Sequence, residues 1–393
     1  VASGAALVAA LALIVVAAEK AADAASSPIE PPGGWKAVLV VAGVASFVIY
    51  GALLLALRRG GPLVPVLVVS IVFQLIPLLG PTLLSRDVYT YWAYGRVGAV
   101  HGANPYADAP ANWPDDPATV SMGSSWREQP SLYGPVFTLA SEGVARVAGD
   151  SERTASLLFR TVAALSIVVT IGLAALLARN RAFAAALVGL NPLIALHFAG
   201  GGHNDALMIV FVLGALALDR SGRVSLGGLA WAVSALVKWV SLSFLALVTI
   251  AARRDGVRLL AWSAFWLLAL SAAATVRYGT DWLGAASRLS EQARRTGSIG
   301  LSSWLGDLGL AHRPTLVVIA LLTLAAAMWL GVQAWRGRLR LGMAGVLLAA
   351  LQGWLNPWYA LWGLALSAPE EDRTAQVLAV ALSGFLLLDA LPI

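Results

Sequence analysis

The sequence predicts an all-α, polytopic membrane protein, and three observations carry that prediction. Of 393 residues 59% are hydrophobic and only 12% are charged; the apolar residues gather in long runs divided by short polar breaks; and the runs do not alternate polar with apolar. A bilayer core of about 30 Å takes about 20 residues of helix, and backbone groups inside it must be satisfied within the segment. A membrane β-barrel would instead show short alternating stretches. The chain contains no cysteine, which excludes disulfides and thiolate metal sites. Its formal charge of +6 reads as loop charge that fixes topology, and not as a nucleic-acid footprint.

Each element follows from where the arginines fall. Apolar runs near 2–18, 36–57 and 62–80 come first, with Arg58 and Arg59 between the second and third. The first run reads as a helix: "VVAAEKAADAA" has the small residues of a signal-peptide end, but no basic segment precedes it. Basic pairs mark the cytoplasmic side, so the third helix delivers Asp87 to the extracytoplasmic face. Residues 132–148 are expected to form an interfacial helix, because Ser141, Glu142 and Arg146 suit lipid contact poorly. A span at 155–178 then puts Arg179 and Arg181 inside, 182–199 returns outward to "GGHND", and 206–219 leads to Arg220 and Arg223 inside.

The next stretch, "SLGGLAWAVSALVKWVSLSFLALVTIAARRDG", has the length of one span, yet both flanks are basic and Lys238 sits in its middle. Two half-helices forming a re-entrant hairpin, with Lys238 at the tip, satisfy both facts. A lysine in hydrocarbon costs roughly 3 kcal/mol or more, so Lys238 should line a polar cavity and meet an anion, or else pair structurally with a neighbouring acid. Spans near 257–276, 314–335, 341–355, 358–368 and 374–391 follow, with Arg336, Arg338 and Arg340 inside and "NPWYALW" at an outer turn. The total is about 13 membrane segments in a single domain over 1–393, with extracytoplasmic loops at 81–154 and 277–305. No internal repeat is evident, so the inverted-repeat pattern of many transporters is missing.

One stretch concentrates chemistry at a helix end. "SRDVYTYWAYGRV...GANPY", followed by "LYGP", "NPL", "GGHNDALM" and "GLAWAVSALVKW", with weaker "GSIGLSSW" and "NPWY", resembles the GT-C class of integral-membrane glycosyltransferases. The resemblance runs over roughly 80–250 and is nearest to the polyprenyl-phosphomannose-dependent mannosyltransferases of actinobacteria. It implies an inverting enzyme of the bacterial plasma membrane, working on the extracytoplasmic side. Such an enzyme moves mannose from a polyprenyl-phosphate donor, a co-substrate and not a cofactor, to a cell-envelope glycan or glycolipid. Asp87 would be the general base. Arg86-Asp87 lacks a second adjacent acid, so the metal-binding acidic pair of some relatives is not expected and no metal is assigned.

The residue types suit that chemistry. An outward helix-end acid can take a proton from an alcohol, although Asp87 would also serve as a structural partner of Arg86 or Arg96. A cation aimed at the departing phosphate stabilises charge that grows in the transition state; Lys238 fits, with Arg294 and Arg295 as loop candidates beside Arg277 and Arg288. Substrate contacts are expected from Tyr89, Tyr91, Arg96, Asn104, Tyr106, His203, Asn204, Asp205, Trp358 and Tyr359. Trp92 and Tyr94 share that aromatic run, but tyrosine and tryptophan are enriched at every membrane interface. His203, Asn204 and Asp205 would grip acceptor hydroxyls, support Asp87 or cap a helix; a metal held by Asp87, His203 and Asp205 is weakly supported. His101 reads as a loop hydrogen-bonder. A transporter or flippase of lipid-linked sugars also needs a charged midplane cavity, but does not explain the elaborate outer loop; a non-catalytic assembly subunit is the third reading. Expected partners are the bilayer, the lipid-linked donor and the acceptor, and no nucleic acid.

Overall fold

A computed structural model describes residues 2–292 and 295–393. Among these the regular structure is helical, with no strand. The helices are α1 (Ala2–Ala18), α2 (Trp35–Leu57), α3 (Leu63–Leu75), α4 (Asp87–Ala99), α5 (Pro117–Ser121), α6 (Pro135–Ala148), α7 (Glu152–Leu177), α8 (Arg181–Gly189) and α9 (Pro192–Ala195). Then come α10 (Asp205–Arg220), α11 (Val224–Val237), α12 (Ser241–Ala252), α13 (Arg254–Tyr278), α14 (Ala285–Gln292) and α15 (Leu301–Asp307). The last four are α16 (His312–Trp335), α17 (Leu341–Ala350), α18 (Ala360–Ser367) and α19 (Arg373–Asp389).

Length and hydropathy make α2, α7, α13 and α16 capable of crossing a membrane, or five spans if α8 and the Pro192–Gly200 segment count as one. Other apolar helices are shorter, at 10–17 residues, and several bury much of their surface against neighbours. The single span expected at 182–199 is instead bent by 53°. Asn191 and Pro192 cause the break: proline cannot donate to the preceding turn, and the Asn191 side chain accepts from Ile194 N to start the next one. Its amide also donates to Ser383 Oγ at 2.9 Å, tying the break to α19.

The bundle has two chemically distinct ends. At one end Asn180 Nδ2 donates to Leu57 O at 2.9 Å, Arg220 to Leu177 O at 2.7 Å and Arg253 to Trp335 O at 3.2 Å. The C-terminal ends of α2, α7, α10, α12 and α16 therefore meet there with their arginines. The other end carries the starts of α4 and α10. Since α11 leaves the basic end after Arg223 and Lys238 lies beside Asp205 at 2.7 Å, α11 climbs to the start of α10 and α12 returns to Arg253. Gly228 permits this packing, because a Cβ there would stand 2.7 Å from the Trp262 carbonyl carbon of α13.

Candidate active site

The first turn of α4 opens the site. Asp87 begins the helix, its N–H bonded to Ser85 Oγ at 3.1 Å, and its side chain enters a cavity of about 290 Å³. A separation of four residues puts Tyr91 on the same face, and Tyr91 lines the cavity too. Its ring meets Tyr133 edge-on at 5.0 Å. The segment before α10 contributes His203 and Asn204. His203 Nδ1 lies 3.3 Å from Asp87 Oδ2, off the line of a hydrogen bond, and the His203 ring stacks on Trp358 at 3.7 Å. Asn204 is 4% exposed, borders the cavity, and its side-chain amide finds no hydrogen-bond partner among the described residues. A buried unpaired amide is costly, which suits a group held for a ligand.

Lys238 ends α11 in an extended conformation and projects into the same cavity. Its ammonium donates to Asp205 Oδ2 at 2.7 Å and sits 4.9 Å from the Tyr359 ring and 5.7 Å from the Trp362 ring. Asp205, fully buried, takes its second bond from Trp362 Nε1 at 2.7 Å. Both readings of Lys238 therefore coexist: it has a structural acid and it faces the cavity. On another wall, Arg295 places its guanidinium 5.1 Å from the Trp126 ring and 5.9 Å from the Trp354 ring, both cavity residues. No carboxylate pairs with Arg295 among the described residues.

The expected residues divide accordingly. Asp87, Tyr91, Asn204, Lys238, Trp358 and Tyr359 line the cavity, His203 and Asp205 support it, and Arg295 flanks it. Arg294 lies outside the described residues. Four others, expected as substrate contacts, do not line this cavity and are bonded elsewhere. Tyr89 and Arg96 stand about 200° and 180° around α4 from Asp87. Tyr89 bonds Thr82 at 3.1 Å, and Arg96 is held by Asp116 at 2.8 Å. Asn104 donates to Tyr278 O and Asp281, and Tyr106 to Tyr133 O and Thr138; both fasten the segment between α4 and α6. His101 does the same, 2.7 Å from Asp116. Burial alone would raise the Asp116 carboxyl, but bonds from Arg96, Ala118 and His101 outweigh it and hold the group below its usual value.

Sequence reasoning missed Trp126, Tyr133, Trp239, Trp354, Asn356 and Trp362. Trp362 had a signal, four residues beyond Trp358 and so one helical turn away; Tyr133 stands inside the "LYGP" motif. Trp126 had none, a lone aromatic ending a short 3-10 turn, whereas Trp354 lies four residues before Trp358 but outside any helix. Among the described residues no three His, Cys, Asp or Glu side chains converge as a metal site.

Comparison with known sequences bears on what this cavity serves. Residues 2–254 match the family described as alpha-(1→6)-mannopyranosyltransferase, N-terminal domain. Alpha-(1→6)-mannopyranosyltransferase A of Mycobacterium tuberculosis is 30% identical, over 77% of this chain and 65% of that protein. A probable alpha-(1→6)-mannopyranosyltransferase of Mycolicibacterium smegmatis is 28% identical over 74% and 62%. Alpha-(1→6)-mannopyranosyltransferase B of Corynebacterium glutamicum is 28% identical over 75% and 57%. The chain thus spans about three fifths of the length of these curated relatives. No solved structure matches it.

Proposed function

The chain belongs to the alpha-(1→6)-mannopyranosyltransferase family, and from that membership we propose that it moves a mannosyl residue from a polyprenyl-phosphate donor to a glycan or glycolipid acceptor. The observation that carries the reading is the joint presence of the Asp87 carboxylate and the Lys238 ammonium in one aromatic-lined cavity. Asp87 takes the proton of the acceptor hydroxyl as that oxygen attacks the anomeric carbon. The carbon–phosphate oxygen bond breaks on the opposite face, giving inversion, and the lipid phosphate leaves with the electron pair. Lys238, with Arg295 across the cavity, meets the growing phosphate charge. Tryptophan and tyrosine faces suit the apolar faces of sugar rings.

The same reading sets the protein in the bacterial plasma membrane with the cavity on the extracytoplasmic side. Support comes from the arginine-rich opposite end, which suits the cytoplasmic face. Helices of 14 and 12 residues reach about 21 and 18 Å, less than the bilayer core of about 30 Å. The pair α11–α12 is therefore read as re-entrant, its tip below the outer surface where a lipid phosphate can arrive from the side. Including such half-helices, the assembly amounts to about 13 membrane segments. Purified protein incubated with radiolabelled polyprenyl-phosphate mannose should label a mannose-terminated acceptor; label retained wholly on donor, with every acceptor offered, would overturn the reading.

A further inference from the structure

We propose that a second cleft, backing onto the first turn of α4 from the side opposite the cavity, binds a neutral, hydroxyl-rich ligand, and that this ligand is a distal stretch of the acceptor glycan. The cleft encloses about 750 Å³ between residues 18–25, 78–82 and the starts of α4 and α7. Three carboxylates, Glu19, Asp23 and Glu152, face three guanidiniums, Arg86, Arg153 and Arg160, so the lining is charge-balanced. Arg86 is taken by Asp23 at 2.8 Å. Arg160 is taken by the carbonyls of Ala199 and Gly80 at 2.8 and 3.0 Å, and by that of Pro77. Glu152, which accepts from Ser121 Oγ at 3.1 Å, and Arg153 are exposed at the opening, and Thr82 links the hydroxyls of Tyr89 at 3.1 Å and Ser156 at 2.6 Å behind them.

A lining of one sign would select an ion. A balanced one, dense in donors and acceptors, suits a polyol, each of whose hydroxyls both gives and receives a bond. Position supplies the second argument. Tyr89 of the cleft and Asp87 of the cavity stand about 200° apart on α4, so cleft and cavity are separated by one helix thickness, about 10 Å. A chain whose terminal hydroxyl meets Asp87 has its next sugars within reach of the cleft. Naming the ligand as acceptor glycan rests on the glycosyl-transfer reading; the preference for a neutral polyol does not.

The test uses the purified full chain, wild type and the variants Glu152→Gln and Arg153→Gln, at exposed positions where folding is not at issue. Calorimetric titration with manno-oligosaccharides of two and six sugars, without donor, should show binding of the longer one, weakened about tenfold by either variant through loss of a charge-assisted hydrogen bond. In transfer assays the variants should raise KM for the six-sugar acceptor and leave the two-sugar acceptor unchanged. Equal six-sugar binding by wild type and variants would overturn the cleft assignment. So would a phospholipid, found there by native mass spectrometry, that the six-sugar chain fails to displace. Variant-sensitive binding without any transfer would sink the glycosyl-transfer reading alone, and transfer without variant-sensitive binding would sink the cleft alone.

Discussion

Asp87 is asked to act as a base while standing 3.3 Å from His203. Asp87→Asn keeps the shape and removes the proton acceptor, so turnover of radiolabelled donor should fall by about 10²–10⁴-fold with donor affinity retained; near-normal turnover would remove Asp87 from the mechanism. Lys238→Met should weaken donor binding and slow transfer, and Lys238→Arg should preserve part of both, because a phosphate first needs a point charge. Unchanged donor kinetics with lowered thermal stability would make the lysine purely a partner of Asp205. Asp116 concerns stability. Its folded carboxyl lies below the usual 3.8, so its contribution is complete above that value and is lost as pH falls through the folded one. Melting temperatures of wild type and Asp116→Asn should therefore differ near neutrality and converge in strong acid; a gap that persists there would refute the assignment. Part of the cavity lining was legible: Asp87, Asn204 and Lys238 stand out as polar groups at apolar helix ends. Tyr89 and Arg96 lie away from the cavity because helical angle, which residue type does not reveal, sets them on the far side of α4.

At the scale of elements, the cavity exists because loop and helix ends approach closely. Gly134 precedes α6, and a Cβ there would lie 1.9 Å from the Leu236 carbonyl oxygen in the last turn of α11. Gly134→Ala must push the Tyr133–Gly134 segment away from the last turn of α11, costing about 1–3 kcal/mol and, under the proposed function, raising KM for donor. Gly143→Ala, in α6 with nothing within 4 Å, is the control and should be neutral or stabilising by up to about 1 kcal/mol. Equal melting temperatures for the two variants would show that the contact is not tight. Hydrophobic runs located most helices, since burial and span length both write long apolar stretches. The break at Asn191 was signalled by the "NPL" motif but lost within an otherwise uniform run, and α18 begins only at Ala360 because Pro357 starts a separate tight turn.

For the whole molecule, the arrangement of ends makes a topological prediction. With α11 rising to the cavity and α12 returning, Ser221→Cys and Asp255→Cys, placed singly in this cysteine-free chain, should both be labelled by an impermeant thiol reagent only from the cytoplasmic side. Labelling from opposite sides would defeat the re-entrant reading. The reading rests on charge placement, because arginines flank the turns at one end. The lateral order of helices was not, since apolar runs of similar composition carry no address for their neighbours. The aromatic wall has a further, optical consequence. Trp126, Trp239, Trp354, Trp358 and Trp362 line the cavity, a third of the fifteen tryptophans in the chain. Its occupancy should therefore be written into the protein's own ultraviolet emission, so that the proposed lipid donor, unlabelled, can be titrated by the dimming or colour shift of its host.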